Sequence, residues 1–373
     1  MPWSQYTVVE HREEFVSFAR QRGANISELC RRFGISRKTG YKWLGRDDCE
    51  DRSRRPLSSP KRTQPALESR VLAVRIKHPA WGARKIAHVL LRDEGIELAP
   101  STVTCVLQRH GRISEQASQA ATPWQRFEHE APNSLWQMDF KGHFPTGTQR
   151  CHPLTVLDDH SRFSVVLHAL GDQQRCSVQP VLQQAFERFG LPERINADNG
   201  TPWGNPGQPG GLTGLAVWLM RLGVRVSYSR PLHPQTNGKD ERFHRTLKAE
   251  VLAQHEFRDL REAHARLQQW RQVYNFERPH EALQMHTPAS RYQPSARAMP
   301  RELPPVEYPS GDLVRKVQKN GWIDLLGQQF RLSKALVGQP VACRPLADRD
   351  GDFAVFFCHQ KVDEISLHSA PID

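Results

Sequence analysis

The chain has 373 residues, more than one hydrophobic core ordinarily organises, so two to four domains are expected. Its 52 Lys and Arg outnumber 40 Asp and Glu for a formal charge of +12, which favours a polyanionic partner, nucleic acid ahead of an anionic membrane surface. The seven cysteines form no close CxxC pair, which argues against a thiolate zinc knuckle or a disulfide framework, and no stretch has the length and apolarity of a membrane span.

Helical periodicity starts over residues 11–22, with Phe15, Phe18 and Ala19 on one side. Asn25, with Glu28 three residues on, is a capping pair for a helix over 26–33. Gly34-Ile35-Ser36 breaks that helix, and Ser36 caps another over 37–44. Leu29, Phe33, Ile35, Tyr41 and Leu44 would form the small core. Helix, short turn, helix is the helix-turn-helix pattern, here in residues 1–45. Its second helix carries Arg37, Lys38 and Lys42, which reach phosphates or base edges if they are not simply solvated charges. Residues 46–65 hold few apolar groups, several prolines and a basic cluster of Arg52, Arg54, Arg55, Lys61 and Arg62. They read as a basic linker that orders along a DNA groove when bound.

A second helical unit occupies residues 66–112, with helices over 67–77, 83–92 and 101–109 punctuated by Gly82 and Gly95. Ser101, Thr102 and Thr104, ahead of Val106 and Leu107, look like the start of a second recognition helix; the alternative is a unit that only packs on the domain that follows. Two reading units on a flexible linker would span a long DNA site. Over residues 124–287 the pattern changes. Strand-like runs begin at Trp136 and recur over 153–157, 163–167, 194–197 and 224–228; helical runs fall at 178–189, 213–222, 240–254 and 259–276. The turn 158–162 joins two strands as a hairpin, and the whole indicates a mixed sheet covered by helices, an α/β domain. A proline-rich linker over 288–311 leads to short strand candidates in 312–362, expected to form a small β-barrel that binds DNA or a partner.

Three acids stand where acids are otherwise poorly explained. Asp139 interrupts an apolar strand, Asp198 falls where a strand ends, and Glu241 opens a helix. The end of a strand is a common crevice position in an α/β sheet. Three carboxylates share a place only if a cation neutralises them, and oxygen ligation suits Mg²⁺ or Mn²⁺. Taken singly, an Asp-Asn-Gly is usually a turn and an early helical Glu usually pairs with the helix dipole. Asp240 is the rival for the third acid, though one position around the helix turns it about 100° away. Asp158 and Asp159 are further rivals, more simply read as turn caps.

Trp136-Gln-Met-Asp-Phe140, Ala197-Asp-Asn-Gly200 and His233-Pro-Gln-Thr-Asn-Gly-Lys-Asp-Glu241, in that order, resemble the DDE transposases of the IS481 and IS3 insertion-sequence groups and, more distantly, the retroviral integrase core. The third block continues through Arg242-Phe-His-Arg-Thr-Leu-Lys248 to Tyr274-Asn-Phe-Glu-Arg-Pro-His280. The resemblance covers residues 25–290 well and the C-terminal strands more loosely. It implies an RNase H-like catalytic core preceded by helix-turn-helix domains, and two divalent ions bound by Asp139, Asp198 and Glu241. It also implies assembly as at least a homodimer on paired DNA ends, in the cytoplasm or nucleoid of a prokaryote. His244, Arg245 and Lys248, three, four and seven residues past Glu241, match the family's DNA-contacting positions, while Phe243 and Leu247 face the core. The 42 residues between Asp198 and Glu241 exceed the family's usual interval, with the excess assigned to the Gly/Pro loop 203–211.

The activity implied is cleavage at terminal inverted repeats of double-stranded DNA, followed by attack of the freed 3′-hydroxyl on target DNA. Two other readings stay open: a catalytically silent or regulatory DNA-binding relative, and a structure-selective RNase H-like nuclease.

Overall fold

A reciprocal cap opens the first helix. In the computed structural model, which describes residues 7–52, 62–113, 129–205, 211–228 and 238–368, the Thr7 hydroxyl accepts from the Glu10 amide while the Glu10 carboxylate accepts from the Thr7 amide. Helix α1 (Val8–Ala19) therefore starts earlier than its apolar spacing suggests. Asn25 caps α2 (Ile26–Arg32) and Ser36 caps α3 (Arg37–Leu44), each accepting from the amide three residues on at 3.2 Å. The core beneath them is Phe15, Val16, Cys30 and Trp43. Tyr41, expected inside, is 61% exposed, because Gly40 and Trp43 take the inward face of α3. Gly40 is a point of close approach: a Cβ there would sit 2.6 Å from Cys30 Sγ and 2.9 Å from Phe15 Cζ. Arg12 donates to the Cys49 carbonyl at 3.1 Å and pairs with Asp51, which folds the start of the basic linker back onto α1. This unit ends at Arg62; the remainder of the chain forms a second compact unit.

The second unit begins with α4 (Pro65–Lys77), α5 (Ala83–Glu94) and α6 (Pro100–Arg109), packed around Val71, Trp81, Ile86, Leu90, Val103 and Leu107. These helices dock on the domain that follows. Arg92 donates to the Glu277 carbonyl at 3.1 Å, Arg84 faces Glu281 at 3.7 Å, and Val273 packs against the helical cluster.

A mixed sheet follows, built from β1 (Trp136–Phe140), a short β2 (Phe144–Pro145), β3 (Arg150–Asp158), β4 (Ser164–Leu170), β5 (Arg194–Ala197) and β6 (Arg225–Tyr228). The long strands lie in the order β4-β3-β1-β5-β6, with β1 antiparallel to β3 and parallel to β5. Counting long strands alone, that is 3-2-1-4-5, the RNase H-like arrangement. Period-two alternation sends Leu154 and Val156 to the face covered by α7 (Arg175–Phe189) and α8 (Gly214–Arg221). Cys151, Leu157 and Leu167 go to the face covered by α9 (Gly238–Leu247) and α10 (Leu260–Gln272). Both of these helices run on into single π-helical stretches, Lys248–Leu252 and Val273–Glu277. Glu250 joins the two by accepting from Trp270 Nε1 at 2.8 Å and Arg278 Nε at 3.0 Å.

The expected linker 288–311 is irregular but docked. Tyr292 stacks on Phe163 at 4.2 Å, and Arg297 donates to the carbonyls of Pro192 at 2.6 Å and Gly223 at 2.8 Å. Beyond it, β12 (Gln360–Ser366), β11 (Arg349–Phe357), β10 (Pro340–Leu346) and β7 (Leu313–Lys316) form a four-stranded antiparallel sheet. Strands β8 (Trp322–Leu325) and β9 (Gln328–Arg331) pair only with each other, so among the described residues no ladder closes the expected barrel. The inner face of this sheet instead joins the main core, where Val341, Val355 and Phe357 share one buried cluster with Trp136 and Val226. Gln360 fixes the junction: its carboxamide accepts from the Val226 amide at 2.9 Å and donates to the Val226 carbonyl at 2.8 Å. Among the described residues no helix is long and apolar enough to cross a membrane.

Candidate active site

Strand register brings the first two acids together. On the parallel pair β1/β5, Met138 lies opposite Ala197 as the last rung of the ladder, so Asp139 and Asp198 occupy the next positions, where the pairing of the two strands ends. Neighbouring strands run roughly 4.8 Å apart, and residues in register project to the same face. Asp139 is partly shielded, its side chain 24% exposed, and its Oδ1 accepts from the Phe140 amide at 2.7 Å. Burial, then the charge of Asp198 and to a smaller degree that of Glu241, push the Asp139 carboxyl up to about 7, against the pull of the Phe140 amide and Lys141.

Helix α9 supplies the rest. Asp240, Phe243 and Leu247 form its buried stripe, while Glu241, Arg245 and Lys248 are exposed. Asp240 is therefore not turned away from the site but set beneath it, 1% exposed. Burial first, then the charges of Asp139, Asp159 and Asp198, hold its carboxyl well above the usual carboxylate range. Among the described residues its Oδ1 meets no hydrogen-bond partner. Glu241, one position on, stands at the solvent side of the same group. Asp158 and Asp159 are structural. Asp158 accepts from the Asn133 amide at 2.7 Å and the Ser161 amide at 2.8 Å, and Asp159 accepts from Gln137 Nε2 at 2.8 Å and pairs with Lys239.

His244 departs from expectation. The sequence places it among the DNA-facing residues, yet its side chain is only 12% exposed because the ring turns in to the Thr155 hydroxyl at 2.9 Å. Burial, with Lys141 nearby, lowers the imidazole to about 3, so the ring is neutral at ordinary pH. No sequence pattern flags this pairing, since Thr155 sits 89 residues away.

Mg²⁺ or Mn²⁺ fits the donor chemistry here. Asp139, Asp198 and Glu241 offer only oxygens, and their mutual repulsion, already registered at Asp139, is what a cation relieves. As placed, no three acid, His or Cys side chains among the described residues are close enough to close around one ion.

Models of the integrase core domain match residues 129–234 and 222–288, and the model of the IS481 family transposase C-terminal domain matches 312–373. A homeodomain-like model matches 39–107 and a helix-turn-helix model 11–56. A 31.7 kDa protein of insertion element IS407 from Burkholderia multivorans is 26% identical over 277 residues, covering 71% of this chain and 90% of its own length. A 39.2 kDa protein of insertion element IS476 from Xanthomonas euvesicatoria is also 26% identical, covering 63% of this chain and 66% of its own. Together these matches support an IS481-type DDE transposase. Among solved structures, the magnesium complex of the HTLV-2 integrase catalytic core domain aligns at 17% identity and a TM-score of 0.34, over 43% of this chain and 97% of that chain.

The remaining candidate DNA-binding residues divide by position. Arg37, Lys38 and Lys42 are exposed on α3, and Arg52 is exposed beside Asp48. Arg54 and Arg55 lie outside the described residues, as does most of the 203–211 loop. Ser101 and Thr104 open α6 beside Arg84 and Lys85 in a cleft that Glu281 also lines, and Thr104 spends its hydroxyl proton on the Pro100 carbonyl.

Proposed function

We propose that this chain binds the terminal inverted repeats of its element and, with a divalent cation, cleaves DNA and joins the freed 3′-hydroxyl to target DNA. The adjacency of Asp139 and Asp198 just past the last rung of two paired parallel strands, with the Asp139 carboxyl driven up by burial and then by the charge of Asp198, carries this reading. Residues 1–45 and 66–112 act as DNA-reading modules on either side of the basic linker 46–65, residues 124–287 hold the chemistry, and the sheet within 312–362 serves as a docking surface.

Asp139, Asp198 and Glu241 would hold two Mg²⁺ or Mn²⁺ ions, which when bound supply Lewis-acid stabilisation of the phosphorus centre and a more acidic nucleophile. The chain's own part is positional. Asp139 is fixed by the Phe140 amide, Asp198 by its strand, and Glu241 closes from the helix. Arg245 and Lys248, exposed one and two turns along, line a path for the DNA backbone. Water and the 3′-hydroxyl take the same place in turn, so both steps need one geometry and no covalent enzyme intermediate. Paired ends require at least two copies of the chain.

The decisive experiment assays nicking and strand transfer on paired terminal repeats with Mg²⁺, for the wild type and for Asp139→Asn, Asp198→Asn and Glu241→Gln. Each variant is expected to retain end binding and lose both products. Strand transfer surviving in any one of them removes that residue from the site. Wild-type binding with neither product supports the silent DNA-binding relative, and cleavage of single unpaired ends supports a plain nuclease.

A further inference from the structure

The inward ring of His244 is part of a directional chain of hydrogen bonds. The Thr155 hydroxyl donates to the Asp139 carbonyl oxygen at 2.9 Å and lies 2.9 Å from His244 Nε2. A hydroxyl has one proton, and a carbonyl oxygen only accepts. With the Thr155 proton committed to Asp139, the ring is satisfied at this end only if Nε2 carries hydrogen and donates to Thr155 Oγ1. That fixes the tautomer of the neutral ring. Nδ1 is the bare nitrogen, and it faces Asp139 Oδ2 at 3.9 Å, too far for a direct bond.

The chain ends on Asp139 and begins one helical turn past Glu241. Phe243 and Leu247 also hold α9 to the sheet, but apolar packing is non-directional and tolerates small slides and rotations. The His244–Thr155–Asp139 bonds do not. They fix where α9 stands along β1.

We propose that His244 is a positioning residue which, through Thr155, sets the separation of Glu241 from Asp139 and so tunes the cation site. This rests on the reading of Asp139, Asp198 and Glu241 as the cation-holding set.

The test uses the full chain and Mn²⁺ itself, with free Mn²⁺ followed by electron paramagnetic resonance. The variants are Thr155→Val, His244→Leu, their double, Thr155→Ser, His244→Gln and Asp139→Asn, each also checked for melting temperature and end binding. Thr155→Val and His244→Leu are expected to weaken Mn²⁺ binding by about tenfold or more, the usual effect of losing a group that orients a ligand. Thr155→Ser keeps the hydroxyl and His244→Gln keeps a donor near Nε2, so both should recover most of the affinity. The double variant should be no weaker than the worse single, since either change breaks the same chain.

Wild-type Mn²⁺ affinity in Thr155→Val or His244→Leu, additive losses in the double, or His244→Gln binding no better than His244→Leu would each overturn the proposal. If His244→Leu fails to fold, Thr155→Val, which keeps the side chain's shape, decides alone. Asp139→Asn separates the two levels. Loss of Mn²⁺ binding there with none in Thr155→Val sinks only the relay, whereas unchanged binding in Asp139→Asn sinks the cation-site reading and the relay with it.

Discussion

Replacing Asp139 with Asn isolates the electrostatic strain that the site carries without metal. The rise of the Asp139 carboxyl from its ordinary 3.8 to about 7 corresponds to ~4 kcal/mol, at about 1.4 kcal/mol for each tenfold change in proton affinity. Below pH 3.8 the folded and unfolded chains both keep this proton, and the group contributes nothing. Between 3.8 and about 7 the unfolded chain ionises while the folded one does not, so stability falls as pH rises and the full penalty stands above 7. Asn has the same shape and no proton to lose. In EDTA, urea denaturation followed by tryptophan fluorescence should show the wild type losing ~3 kcal/mol of stability between pH 5 and 8 relative to Asp139→Asn, the rest of the ~4 kcal/mol having been lost between pH 3.8 and 5. Mn²⁺ at 100 times its Kd at pH 8 should close most of that gap, because it adds ~2.7 kcal/mol to the chain that binds it. Parallel pH dependences for the two chains in EDTA would refute this account, since the acid would then carry no strain.

Three further outcomes concern other parts of the molecule. Gly40→Ala forces a methyl against Cys30 and Phe15 and should destabilise the N-terminal helices by about 1–3 kcal/mol, read as faster amide exchange in α1–α3 of the full chain; unchanged exchange would contradict this close packing. Arg37→Ala with Lys38→Ala should weaken end binding and lower the slope of log affinity against log salt by roughly 0.9 for each phosphate no longer neutralised. An unchanged slope assigns both side chains to ordinary surface. Arg297→Ala strips the Pro192 and Gly223 carbonyls of their donor and should cost about 1–3 kcal/mol, seen as early proteolysis near residue 297.

Local signals are readable in the sequence wherever the deciding atoms are close in the chain. Asn25 and Ser36 cap the helices they were expected to cap, and the runs at Trp136 and Arg194 are strands. The inward stripe of α9 is only half legible from its apolar residues. Phe243 and Leu247 mark it correctly, but Asp240 shares their spacing at three and seven residues, and helical periodicity alone puts it inside. What escapes depends on partners far along the chain. Tyr41 looks like a core residue until Gly40 is seen against Phe15, His244 looks like a surface cation until Thr155 meets it, and Arg297 looks like linker until it finds the Pro192 carbonyl. Strand β12 is hidden because Gln360–Ser366 is largely polar and pairs on only one side, so neither alternation nor apolar density marks it.

Gln360 bears on how the chain avoids sticking to itself. Strand β6 ends the ordered row of the central sheet, and an end strand offers unsatisfied amides and carbonyls to any extended peptide that drifts past. A carboxamide has the same donor and acceptor as a peptide unit, and at Val226 it plugs that vacancy with a side chain instead of a strand. Anchorage of the last sheet and protection of the first are thus a single junction, and a chain cut short before residue 312 would lose both, leaving a bare ladder rung on which fibrillar association can start.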